Sequence, residues 1–72
     1  MELYHINTNC ITKETERKII DAIEKGKAVS VGSSCIGHTR AMMIETQGER
    51  ICHEAGATNY IESEFGTKYW YK

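Results

Sequence analysis

The chain has 72 residues, with nine basic and ten acidic side chains and a formal net charge of −1. A domain this short buries only about 60% of the surface that its unfolded chain exposes. This leaves no room for a doubly wound nucleotide-binding sheet, and the charge lacks the basic excess that attracts nucleic acid. We therefore expect one small domain, residues 1–72, that presents a surface to a partner rather than catalysing a reaction.

The sequence carries no signal for membrane insertion or export. No run of 18 apolar residues occurs, so we expect no membrane-spanning segment and no membrane partner. The first residues lack the basic region and apolar core of a signal peptide. The three cysteines, Cys10, Cys35 and Cys52, are odd in number and do not predict a disulfide framework. A reduced, cytoplasmic setting follows as the simplest expectation.

The first part of the chain predicts a strand, a helix and a second strand. Thr12 can cap the N-terminus of the helix, and Gly26 supplies a left-handed stop. Between them, apolar side chains recur at three- and four-residue spacing, namely Ile19, Ile20, Ala22 and Ile23. Residues 3–6 and 27–31 are predicted to be strands. A helix between two strands indicates a β-α-β unit in which the strands are parallel and adjacent.

The middle of the chain allows two structures. Residues 42–46 and 49–53 flank Gln47-Gly48, and a two-residue loop with glycine in second place suits a type I′ turn, so we predict a hairpin. The alternative is one long helix, in which one face would carry Ala41, Ile44, Ile51 and Ala55. Gly48 inside that helix would cost about 1 kcal/mol, which favours the hairpin.

The tail predicts another hairpin, divided at Gly66-Thr67. Residues 68–72 are strand-like in composition. Residues 59–65 are predicted to be the strand before them, with a short helix capped by Thr58 as the alternative. The predicted fold class is therefore α+β, with one helix packed on a small, mostly antiparallel sheet and a β-α-β unit followed by two hairpins.

The segment 28–39 is a short β-branched run that breaks into a glycine-containing loop. Its spacing, Gly32-x4-Gly37-His38-Thr39, is one residue short of a phosphate-binding loop, and histidine replaces the lysine. Histidine is shorter than lysine and mostly neutral at pH 7. The following residues are predicted to be a strand, whereas a phosphate-binding loop leads into a helix. We therefore predict a connection between two strands, at the edge of a binding surface.

Cysteine and histidine side chains allow two further hypotheses. Cys35 and His38 would need mutual hydrogen-bond reach and a third orienting group to act as nucleophile and base. A structural zinc site needs four ligands, and in a strand Cys52 and His53 point to opposite faces. We predict no enzyme, no metal site and no cofactor, with a cysteine- or metal-dependent enzyme as the third hypothesis. Cys10 and Cys52 are predicted to be small buried residues.

Aromatic residues are concentrated in the tail. Five of the six lie in the last thirteen positions, and Tyr69, Trp70 and Tyr71 are consecutive. In a strand, consecutive rings cannot all face one core, and tyrosine and tryptophan are enriched at the energetic centres of interfaces. The predicted binding surface comprises Tyr69, Trp70, Tyr71, Lys68, Lys72, His38 and Arg40.

These observations predict a non-catalytic protein-interaction module, a modulator or inhibitor of a larger cytosolic protein or complex. The small size also fits an accessory protein of a phage or mobile element. The alternative is a small nucleic-acid-binding domain, whose binding residues would be Lys68, Tyr69, Trp70, Lys72 and Arg40. Aromatic stacking on single strands would use the same residues, but the balanced charge argues against it.

Overall fold

The computed structural model describes residues 1–34 and 37–72. Its fold class is α+β, as predicted from the sequence. The elements in chain order are β1 (Leu3–Asn7), α1 (Lys13–Glu24), β2 (Ala28–Gly32), α2 (His38–Glu54), β3 (Asn59–Glu62) and β4 (Lys68–Tyr71).

The four strands form one mixed sheet in the order β1-β2-β4-β3. β1 and β2 are parallel, while β4 is antiparallel to both β2 and β3. Parallel neighbours need a crossover connection, and α1 supplies it. The predicted β-α-β unit is confirmed, and so is the C-terminal hairpin, whose turn contains Gly66 at a φ of 82°.

Helix α1 begins and ends where the sequence predicts. The Thr12 hydroxyl accepts a hydrogen bond from the Thr15 N–H at 3.2 Å, which satisfies one of the free donors of the first turn. Gly26 follows the helix with a φ of 86°, a left-handed conformation that glycine adopts without strain. The predicted apolar stripe supplies the buried residues Ile19, Ala22 and Ile23.

The hairpin predicted over residues 42–53 is wrong, because all of these residues belong to the helix α2. The alternative, a long helix, is the observed structure, with Ile44, Gly48, Ile51 and Cys52 buried on one face. Burying an isoleucine contributes ~1.5–3 kcal/mol, so two of them outweigh the cost of about 1 kcal/mol for glycine in a helix. The sheet therefore carries two helices rather than one.

Gly48 is the point of closest approach between α2 and β2. A Cβ atom placed on Gly48 would lie 2.8 Å from Val31 Cγ2 and nearer still to Val31 Cβ. No side chain fits there without displacing the helix or the strand. The absence of a side chain at Gly48 is thus what lets α2 lie directly on the centre of the sheet.

Both helices pack on the same face of the sheet. The core lies between them and the strands, and it comprises Ile6, Ile19, Ala22, Ile23, Val29, Val31, Ile44, Ile51, Cys52 and Ala57. The shortest dimension of the molecule is 16 Å, which corresponds to two layers. Within residues 1–34 and 37–72, no element covers the opposite face of the sheet.

Replacing Gly48 by alanine is expected to destabilise the protein, although alanine is the better helix former. Overpacking of this kind costs about 1–3 kcal/mol, and each kcal/mol lowers the melting temperature of a domain this size by roughly 4–8 °C. Thermal unfolding followed by circular dichroism measures the shift. The matched control is Thr46→Ala on the exposed side of α2, which should leave the melting temperature unchanged or slightly raised. Equal melting temperatures for the two variants would contradict the packing role of Gly48.

Candidate binding surface

The uncovered side of the sheet, here called the open face, is formed by alternate residues of the four strands. The pairing places Leu3 beside Ala28, His5 beside Ser30 and Asn7 beside Gly32. On the other two strands, Ile61 pairs with Tyr69 and Asn59 with Tyr71. None of these residues is aspartate, glutamate, lysine or arginine. The open face therefore has no formally charged strand residue when His5 is neutral.

Apolar side chains dominate one end of the open face. Because Val29 pairs with Trp70, Ala28 lies beside Tyr71 on the adjacent strand. Leu3 flanks Ala28 from the other side and is 48% exposed, while Tyr71 is half-buried. Ala28 lies between these two large side chains and is fully buried. Ile61 extends the apolar surface onto β3 and is 37% exposed.

The centre of the open face is polar, and its buried hydroxyl group has a hydrogen-bond partner. Ser30 is buried, and its hydroxyl lies 3.2 Å from the Nδ1 atom of His5. A buried hydroxyl without a partner would cost free energy, and this contact removes that cost. The open face can therefore meet an apolar surface without leaving the Ser30 hydroxyl unbonded.

The predicted aromatic surface is divided between the two sides of the sheet. Tyr69 and Tyr71 lie on the open face, whereas Trp70 points to the helix layer. There the Trp70 ring contacts His53 edge-on, with centroids 4.4 Å apart, and Tyr60 at 5.2 Å. Trp70 is thus part of the packing around the core rather than of the open face.

The predicted basic residues also lie away from the open face. Lys68 places its ammonium group 4.8 Å from the centre of the Tyr60 ring, on the helix side. The side chain of Lys72 runs beside Gly56, just after α2. His38 and Arg40 are exposed in the first turn of α2. The residues that sequence analysis did not select are Leu3, Ala28 and Ile61, although the alternation within β1 carries a signal for Leu3.

The loop after β2 leads into a helix, so the predicted connection between two strands is wrong. Its first residues are tied to the segment after β1, where Ser33 donates to Asn9 at 2.6 Å and Asn7 donates to Ser34 at 3.2 Å. Gly37 is the N-cap of α2 and supplies no side-chain hydrogen bond, and the first turn holds no acidic residue. The first N–H groups of α2 therefore have no side-chain acceptor among the described residues.

The cysteines occupy different environments. Cys10 is exposed, so its predicted burial is wrong. Cys52 is buried, as predicted, and desolvation, with a smaller contribution from the charge of Glu49, raises the pKa of its thiol to about 11. Cys35, the predicted alternative nucleophile, lies outside the described residues. Within residues 1–34 and 37–72, no cluster of three or more histidine, cysteine, aspartate or glutamate side chains has a geometry that could hold a metal ion.

Comparison of the chain with protein-family models, with curated proteins and with solved structures finds no match in any of the three. Neither α1 nor α2, the helices of the described part of the chain, is long and apolar enough to cross a membrane.

The two described cysteines should differ in reactivity towards iodoacetamide. Thiolate is the reactive form, and a pKa of about 11 together with burial keeps the Cys52 thiol protonated at pH 8. We expect Cys52 to be alkylated roughly a hundredfold more slowly than Cys10. Peptide mapping by mass spectrometry reads each site separately, and denatured protein provides the control in which the two rates converge. Similar rates in the folded protein would contradict the described burial.

The raised pKa of Cys52 also has a consequence for stability at alkaline pH. Its folded-state pKa lies above the unfolded value, so the unfolded chain loses the proton first as pH rises. The stability that Cys52 contributes is complete below about pH 8.5 and is lost as pH approaches 11.

Proposed function

We propose that this chain is a non-catalytic protein-interaction module that binds a larger protein through its open face. The observation that carries the proposal is a sheet face without charged strand residues and with exposed aliphatic and half-buried tyrosine side chains. Cores of protein interfaces are depleted in charge and enriched in tyrosine. Removing such a surface from water costs less than removing one rich in acidic and basic side chains, because ions are the most costly groups to desolvate.

The dimensions of the molecule suit this role. Its two longer extents are 31 and 30 Å, and a standard interface buries ~800 Å² on each partner. The open face together with the loops around it offers an area of this order. The partner that fits is a protein surface of aliphatic and aromatic side chains with no charge at its centre. A domain that covers such a surface would act as a modulator or inhibitor by excluding other ligands from it.

A second candidate function is binding of a phosphate-bearing ligand, such as nucleic acid, at the N-terminus of α2. One observation favours it: the glycine-containing loop leads into a helix whose first turn has no acid and no side-chain cap. A helix N-terminus attracts anions through its free N–H groups and its dipole. Arg40 and His38 are exposed in the same turn. The lysine of a phosphate-binding loop is still missing, so nucleotide hydrolysis is not part of this candidate.

Charge introduced on the open face should abolish partner binding without unfolding the protein. The test compares Leu3→Glu with Met43→Glu, since the two side chains are similarly exposed, at 48% and 54%, on different surfaces. Tagged proteins are used for affinity capture from the cells that encode them, followed by quantitative mass spectrometry. We expect a protein captured by the wild type and by Met43→Glu to be lost with Leu3→Glu, because a buried carboxylate without a partner is costly.

Direct binding of the captured protein tests whether the open face is the binding surface. The captured protein is purified and titrated with each variant by calorimetry, after circular dichroism has shown that both variants are folded. Binding that survives Leu3→Glu, or that is lost equally with Met43→Glu, would contradict the assignment of the open face.

The second candidate is tested with fluorescently labelled single-stranded and duplex DNA in low-salt buffer. Arg40→Ala should weaken binding about tenfold, because a charged hydrogen bond contributes ~1.5–3 kcal/mol. It should also reduce the salt dependence by about one phosphate contact. Arg50→Ala is the matched control, since Arg50 lies on the same helix but pairs with Glu54. Equal affinities for the two variants, or no binding by the wild type, would exclude this candidate.

A further inference from the structure

The sheet contains a gap between β2 and β4. β4 pairs with β3 along its whole length, from Lys68 to Tyr71. It pairs with β2 only where Trp70 meets Val29. Beyond that position no pairing joins β2 and β4, and a groove of about 410 Å³ is lined by residues of both strands and of α2. The residues that line it are Ser30, Val31, Glu45, Gly48, Glu49, Cys52, Phe65, Gly66, Thr67, Lys68 and Trp70.

The backbone of Val31 faces this groove. The Ala28 N–H donates to the Glu2 carbonyl, and the Gly32 carbonyl accepts from the Thr8 N–H, so both groups point towards β1 and its flanking residues. Backbone groups of successive strand residues point to opposite edges. The N–H and C=O of Val31 therefore point away from β1, to the edge where β4 no longer pairs.

Two carboxylate side chains on α2 line the groove. Glu45 and Glu49 are one turn apart on α2 and both line the groove. Glu45 forms no hydrogen bond or ion pair with residues 1–34 and 37–72, while Glu49 lies 3.8 Å from His53. The ammonium group of Lys68 is held over the Tyr60 ring. This arrangement favours a cationic side chain in the groove.

An apolar contact is available at the mouth of the groove. Phe65 lies in the turn between β3 and β4 and is 94% exposed. A large aromatic side chain with almost no contact in the isolated chain is a surface that a partner can cover. It stands at the end of the groove that is formed by the hairpin turn.

We propose that the groove binds a short extended peptide segment of a partner protein, which adds to the free edge of β2 at Val31. The peptide residue opposite Val31 is a lysine or arginine. Paired residues of neighbouring strands share a face, so its side chain points to the helix side, towards Glu45 and Glu49. Main-chain hydrogen bonds supply affinity in this mode of recognition, and side-chain contacts supply specificity.

The groove proposal shares its class of partner with the proposed function but uses a different site. Failure of one leaves the other in place, because Leu3 is on the open face and does not line the groove. A nucleic acid does not fit the groove, since its phosphates would meet the carboxylates of Glu45 and Glu49.

The test is a titration of the ¹⁵N-labelled full chain with a capped pentapeptide of threonine and valine that has lysine at its centre. We expect the amide signals of Val31 and Gly32 to shift and to saturate. A peptide with glutamate at the centre should bind about tenfold more weakly, as should the lysine peptide whose central nitrogen is methylated and cannot donate. Glu45→Gln should weaken the lysine peptide, whereas Glu24→Gln, on the exposed side of α1, should not.

Three results would overturn the groove proposal. The first is the absence of a saturable shift at Val31, and the second is equal binding of the methylated peptide, which would show charge attraction without strand addition. The third is equal binding by Glu45→Gln and Glu24→Gln. The Leu3→Glu variant should bind the peptide as the wild type does, and weaker binding would place the peptide on the open face instead.

Discussion

The contact between Gly48 and Val31 is the constraint on which the arrangement of this protein depends. Because Gly48 has no side chain, α2 lies directly against the central strand β2. That position brings Ile44 and Ile51 into the same core as the isoleucines of α1. Both helices then occupy one side of the sheet, and the opposite side stays open. The candidate surface is thus a consequence of helix packing on the other face.

Much of the fold could be predicted from local sequence, and the part that could not is the part that depends on this contact. Thr12 and Gly26 mark the ends of α1 through capping and backbone conformation, which are local properties. Gln47-Gly48 resembles a hairpin turn for the same local reasons, but Gly48 serves a contact with Val31 that is distant in sequence. A single sequence does not distinguish a glycine required for close packing from a glycine required for a turn.

The candidate surface could also be predicted only in part from the sequence. The alternation of a strand requires Tyr69 and Tyr71 to share a face that Trp70 does not, and this was available from sequence. The sequence does not show which face α2 covers. The contact between Trp70 and His53 depends on that placement, because His53 lies on α2. The sequence alone does not distinguish Leu3 from other apolar residues in short strands. The strand pairing does, because it places Leu3 beside Ala28 on the open face.

The two proposed binding surfaces differ in electrostatic character, which implies different kinds of contact. The open face has no acidic or basic strand side chain and is suited to broad apolar association, while the groove presents Glu45 and Glu49 beside the part of β2 that does not pair with β4. The hydrophobic effect has no direction, whereas strand addition fixes both register and orientation.

The core is complete on the helix side, and the Ser30 hydroxyl at the centre of the open face is already bonded to His5. The exposed side chains of Leu3 and Ile61 therefore contribute less burial to the folded state than core side chains of the same size. Selection for stability alone would favour polar residues at such positions in a domain this small, where exposed apolar strand edges promote aggregation. Their apolar character is consistent with the proposed function, in which a partner covers them.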